Sequence, residues 1–186
     1  MINKITGNLT SWFLLQSKKI DLIDKNFLSN PVKYIIQCSL ASLTLFTILI
    51  FENALFSPVI VVAVASSAFT IFIFPHRAIS TPRKVIGGHT IAIIASVVIM
   101  LINDVLGFGF TVGELGVMGS MLASLSVGIS SLVMVLTNTE HPPAAGTAFG
   151  LIIYPISPSA ILFIISSVII LSVIKRGLRY RLIDLV

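Results

Sequence analysis

Two polar stretches interrupt an otherwise apolar chain and carry its candidate chemistry: FPHRAISTPRKVIGGHT, from Phe74 to Thr90, and LTNTEHPPAAGT, from Leu136 to Thr147. Each follows an apolar run, contains proline, and passes through glycine or alanine to a threonine at the start of the next apolar run. A helix that begins after Pro82 or Pro143 offers unpaired backbone N–H groups and the positive end of its dipole. Gly87, Gly88 and Gly146 place no side chain between such a helix start and a small ligand. Arg83 and Lys84 add charge, and Ser80, Thr81, Thr90, Thr137, Thr139 and Thr147 add hydroxyls. That combination suits a small anion. The residues expected to bind it are Arg83, Lys84, Gly87, Gly88, Thr90, His141, Pro142, Pro143, Gly146 and Thr147. The competing reading makes the hydroxyls helix caps and the two cations markers of membrane orientation.

Glu140 and His141 differ in kind. They stand before a Pro-Pro turn at the mouth of a short apolar segment, where an ionisable residue is a functional candidate. An imidazole with an ordinary pKa near 6.5 exists in either state at physiological pH, so His141, with Glu140 beside it, is the candidate for proton coupling. The alternative is a histidine that only holds the turn. His76, His89, His141 and Glu140 show no i, i+4 ligand spacing, and no metal or cofactor is expected. Ser130 and Ser131 have no base fixed against them, which argues against a hydrolase, and no catalytic residue is assigned. The chain lacks a Walker-type glycine loop, so ATP is not expected to drive it. Cys38 is the single cysteine, which excludes a disulfide within the chain.

The elements that must position these residues are membrane spans. Hydrophobic residues make up 56% of the 186-residue chain and charged residues 10%, with a mean hydropathy of +1.06, more apolar surface than a soluble domain of this size can hide. All 12 Lys and Arg residues fall in three clusters: the first 33 residues, Arg77–Lys84, and Lys175–Arg181. Cytoplasmic loops accumulate Lys and Arg, so the clusters place both termini and the central loop inside and predict an even number of crossings. The basic residues lie at helix ends, which favours membrane lipid over nucleic acid as their partner.

The fold expected is an all-α polytopic bundle of about six transmembrane segments: Tyr34–Phe51, Pro58–Phe74, Val85–Ile102, Leu115–Leu136, Pro142–Tyr154 and Ile156–Ile174. The fifth is short for a crossing. Residues 1–30 read as an uncleaved amphipathic cytoplasmic segment, and 31–186 as the transmembrane domain. In the fourth segment Gly116, Ser120, Ser124 and Gly128 recur at intervals of four, with Gly119 and Ala123 beside them. Such a row lets backbones approach closely, either within the chain or between protomers of a homo-oligomer.

The combination of FPH, TPRKVIGGH and EHPPAAGTA resembles the HPP family of integral membrane proteins, named for the stretch that here is His141-Pro142-Pro143. The likeness runs from about Pro31 to Lys175. The family's usual Pro-Arg-Asn-Val-Ile-Gly-Gly is Pro82-Arg83-Lys84-Val85-Ile86-Gly87-Gly88 here. Its usual His-Pro-Pro-Ala-Gly-Ala is His141-Pro142-Pro143-Ala144-Ala145-Gly146, with the glycine one residue later. The resemblance implies a small helical membrane protein and, through plant and cyanobacterial relatives, nitrite transport. The expected function is a plasma (inner) membrane transporter or channel for a small inorganic anion, nitrite leading, with proton coupling through His141. The alternatives are a non-transporting module that binds lipid or a partner protein, and an intramembrane enzyme using His141 and Glu140.

Overall fold

A computed structural model describes residues 25–51, 58–113 and 116–185, so all but the last six residues of the amphipathic segment expected over 1–30 lie outside it. Seven helices make up the described architecture: α1 (Lys25–Ser29), α2 (Pro31–Phe51), α3 (Pro58–Ile73), α4 (Pro82–Leu106), α5 (Val117–Thr137), α6 (Pro143–Ile153) and α7 (Pro158–Leu178). A single 3-10 turn, Ala78–Ser80, lies in the first elbow. No strand occurs among the described residues. The chain is a polytopic helical membrane protein, with α2 to α7 matching the six apolar segments in order.

Proline opens all of these six helices but α5. Its fixed φ suits the first helical turn, and its missing N–H is one that would have no intrahelical partner. The ends are equally local. Gly107 stops α4 in the left-handed conformation at φ 64°, its N–H bonding back to the Asn103 carbonyl. Asn138 does the same for α5 at φ 55°, a conformation Asn tolerates better than most residues. The expectation that elbow hydroxyls cap the next helix is not met: Thr81 at the start of α4 makes no side-chain cap bond. Ser157 does cap, accepting from the Ala160 N–H at the start of α7.

Helices α2, α4, α5 and α7 are long and apolar enough to span a bilayer, whereas α3 has 16 residues and α6 has 11. At 1.5 Å per residue α6 is about 17 Å long, little more than half of a hydrocarbon core. Its start explains its length. The second elbow enters the bundle beside Gly88, six residues along α4, and so lies about 9 Å deeper than the mouth of that helix.

The contacts divide the chain at Tyr34, and the second unit, Ile35–Val186, holds the site. Its main core joins α2, α3, α4, α6 and α7 through Ile60, Val64, Phe72, Leu151, Phe163 and Val168 among others. The tail is stitched beneath the first elbow. Gln37 donates to the Phe72 carbonyl and, at 2.7 Å, to that of Ile183. The backbone N–H of His76 reaches Asp184 Oδ1 at 2.9 Å, and Lys175 reaches the Ser80 carbonyl at 2.6 Å. The basic central loop and the basic tail therefore share one surface, as the charge clusters require.

The small-residue row of α5 turns out differently from an intrachain packing face. Gly116, Ser120, Ser124 and Gly128 are all exposed, while the neighbouring row of Gly119, Ala123, Ser126 and Ser130 is buried. A Cβ at Gly116 or Gly128 would meet nothing within 4 Å.

Candidate functional site

The two elbows, distant in sequence, meet at the start of α4. A Cβ on Gly87 would lie 2.8 Å from Thr139 Cγ2, and one on Gly88 would lie 2.9 Å from His141 Cβ and 3.0 Å from the Thr139 carbonyl. The glycines expected to clear space for a ligand thus clear space for the second elbow. Gly146 serves packing as well, since its Cβ would stand 3.3 Å from that of Ala63 on α3. Arg83 donates to the Thr137 carbonyl at 3.1 Å, and Lys84 forms an ion pair with Glu140. Both cations expected to attract an anion are engaged in tying one elbow to the other. Thr90 returns its hydroxyl to the Ile86 carbonyl and is exposed. Pro142 and Pro143 form the turn into α6, with Pro143 buried.

Behind this junction lies a line of buried polar side chains. His141, 1% exposed, donates from Nδ1 to the Ile79 carbonyl at 2.9 Å, and its Nε2 lies 3.1 Å from the Ser67 hydroxyl. Ser67 Oγ lies 2.8 Å from His89 Nε2, and His89 Nδ1 lies 2.8 Å from the Thr147 hydroxyl. Ser67, His89 and Thr147 are each 0% exposed, and the two imidazole centroids are 5.4 Å apart. Four separate pieces of chain converge here: α3 supplies Ser67, α4 His89, α6 Thr147 and the second elbow His141.

The polar line continues down α4. His89, Ser96 and Asn103 recur at every seventh position, and all three are buried. Ser96 contacts Ser126 of α5 at 3.1 Å and donates to the Ala148 carbonyl of α6 at 3.0 Å. From His89 to Asn103 the stripe covers about 21 Å of helix. On the other side of the first elbow a cavity of about 520 Å³ is lined by His76, Arg77, Thr81, Lys175, Arg176 and Arg179, among others. Arg77 there is 3.8 Å from Asp184.

Burial pushes the His141 imidazole down to about 4, while the hydrogen bond to the Ile79 carbonyl acts the other way. The hydrogen bond from Lys84 holds the Glu140 carboxyl below its ordinary value. At neutral pH this leaves a neutral histidine within the junction and an ionised glutamate at its edge. Sequence reasoning singled out His141 and Thr147 but not Ser67, Ser96 or Ser126, and it considered His89 only as a metal ligand. The seven-residue recurrence of polar residues along an apolar helix was the available signal.

No curated protein and no solved structure matches the chain. The family profile described as "HPP, transmembrane region" matches residues 28–177, most of the length and both elbows. With the motifs brought together at one buried junction, the chain belongs to the HPP transmembrane family.

Proposed function

We propose that the protein is a transporter or channel for a small inorganic anion, with nitrite as the leading candidate and a proton as the coupled ion. The observation that carries this reading is the broken path of the chain within the helix bundle. The second elbow is non-helical backbone sunk into the bundle, with His141 and Thr139 buried, and α6 begins there. Irregular backbone is tolerated at such depth only inside protein or beside a cavity, and half-helices that begin there are a recurring way of building ion sites in transporters. The N-terminal end of α6 directs its positive dipole end at this interior.

The basic cavity beside the first elbow supports the same reading. Its lysine and arginines would raise the local concentration of anions at one mouth of the bundle. In this proposal the cavity collects the anion, and the hydroxyls and imidazoles along α4 take the place of its hydration. Arg83 and Lys84 hold the gate between the elbows. The nitrite assignment rests on the resemblance to nitrite-transporting relatives, and the plasma membrane with cytoplasmic elbows rests on charge bias. Reconstituting the full chain into phospholipid vesicles and screening nitrite, nitrate, chloride and formate entry tests the proposal. Entry of nitrite above that in empty vesicles supports it, and no entry of any anion refutes it.

A further inference from the structure

Hydrogen-bond valence assigns the protons along the buried line. The Ile79 carbonyl can only accept, so His141 Nδ1, 2.9 Å away, carries a hydrogen. Nε2 of the neutral ring is then bare and accepts from the Ser67 hydroxyl at 3.1 Å. That hydroxyl has one hydrogen, so Ser67 Oγ is the acceptor in its 2.8 Å contact with His89, whose proton therefore sits on Nε2. His89 Nδ1 is bare in turn and accepts from Thr147 at 2.8 Å. One set of tautomers satisfies the four contacts that join Thr147, His89, Ser67, His141 and Ile79, with all donors pointing from Thr147 toward Ile79. Ser67 Oγ also lies 3.0 Å from the Ala63 carbonyl, a second resting place for its hydrogen.

The charged surroundings leave this line to its two rings. Helices α3, α5 and α6 contain no ionisable side chain. On α4, Arg83 and Lys84 lie at the mouth, engaged by Thr137 and Glu140, and Asp104 lies at the far end. From α7 and the tail, Lys175 is bonded to the Ser80 carbonyl, while His76 and Arg77 face Asp184.

We propose that His89, Ser67 and His141 form a proton relay between the α6 side of the bundle and the elbow junction, the route by which the transport proposed above couples to protons. A proton arriving on His89 Nδ1 makes that ring an imidazolium. Its Nε2 proton passes to Ser67 Oγ as the Ser67 hydroxyl proton passes to His141 Nε2. His89 is left neutral with hydrogen on Nδ1, Ser67 is again a hydroxyl, and His141 is the imidazolium. When the His141 ring turns its Nδ1 from the Ile79 carbonyl toward water entering at the elbow, that water takes the Nδ1 proton and completes one transfer, and return of the rings and the Ser67 hydroxyl restores the starting tautomers. Ser67 is a linking residue; its loss removes a single oxygen but leaves two buried ring nitrogens without that partner, so the variant is checked for a monodisperse fold before its transport is read.

The relay rests on the anion reading for its driving ion, and the experiment separates the two. Full-length protein in phospholipid vesicles containing a pH-sensitive dye is driven either by a nitrite gradient or, without anion, by a potassium diffusion potential. Wild type should admit protons along with nitrite. Ser67→Ala should keep nitrite entry down its own gradient within about twofold while the accompanying proton entry falls on the order of tenfold or more. His89→Gln, checked for a monodisperse fold, should lose the accompanying proton entry to a similar degree, with no constancy of its nitrite entry required, since His89 lies among the groups proposed to solvate the anion. Undiminished proton entry in both variants overturns the relay, as does wild-type nitrite entry without protons. Ser67-dependent proton entry under the potential with no anion movement supports the relay and removes the anion reading. Wild type that moves neither ion overturns both.

Discussion

At the scale of single residues, two tasks that sequence alone separates into rivals are compatible at His141: it holds a turn, and the relay proposed above uses its other ring nitrogen. Its Nδ1–H anchors the second elbow to the first through Ile79, and its Nε2 faces Ser67. Because burial lowers its pKa to about 4, the unfolded chain binds more protons than the folded one between that value and about 6.5. Stability should therefore fall as pH drops below about 6.5, with the His141 share, about 3 kcal/mol, fully lost below about pH 4. Thermal melts in nanodiscs across that window should show a flatter pH profile for His141→Gln than for wild type. An unchanged profile would mean that the ring is not held neutral. Glu140 behaves oppositely. Its contribution is present above the ordinary carboxylate pKa and is lost as pH falls through its lowered value, so Glu140→Gln should mimic the acid-side loss of the Lys84 pair at neutral pH.

At the scale of elements, the glycines decide how closely the second elbow approaches α4. Gly88→Ala would press a methyl against the His141 Cβ and the Thr139 carbonyl, and backbone yields less readily than a side chain. It should cost about 1–3 kcal/mol by overpacking, read as a lower melting temperature. Gly128→Ala meets nothing within 4 Å in this chain and should instead gain about 0.5–1 kcal/mol of helix propensity. Equal effects of the two would contradict the packing described. Much of this level was legible beforehand. Proline starts, a basic-residue pattern and run lengths located all six apolar helices. The direction in which Gly87 and Gly88 face was not legible, because a glycine that admits a ligand and one that admits another backbone look alike in sequence. Nor were the partners of Ser67 and His89, since a serine in an apolar helix more often bonds its own preceding turn, as Ser66 does with Val62. Which row of α5 packs within the chain was not legible for a related reason: small residues line both sides of that helix, and only tertiary contacts choose between them.

At the scale of the whole molecule, charge distribution and function meet. The tail, the first elbow and the second elbow gather at one end of the bundle, where the Lys175–Ser80 and Lys84–Glu140 contacts join them. In a Cys38-free background, cysteines at Thr137 and Tyr180 should be labelled by an impermeant reagent from one side of the membrane and a cysteine at Val105 from the other. Labelling of Thr137 and Tyr180 from opposite sides would break the topology. The central claim is that this bundle moves a small anion past the buried elbow junction. Nitrite entry into vesicles containing the purified protein measures it directly. The account predicts saturable entry that accelerates when the outside is made acidic and that loses this acceleration in Ser67→Ala. Nitrite entry indistinguishable from that of protein-free vesicles, at every pH and gradient, would contradict it.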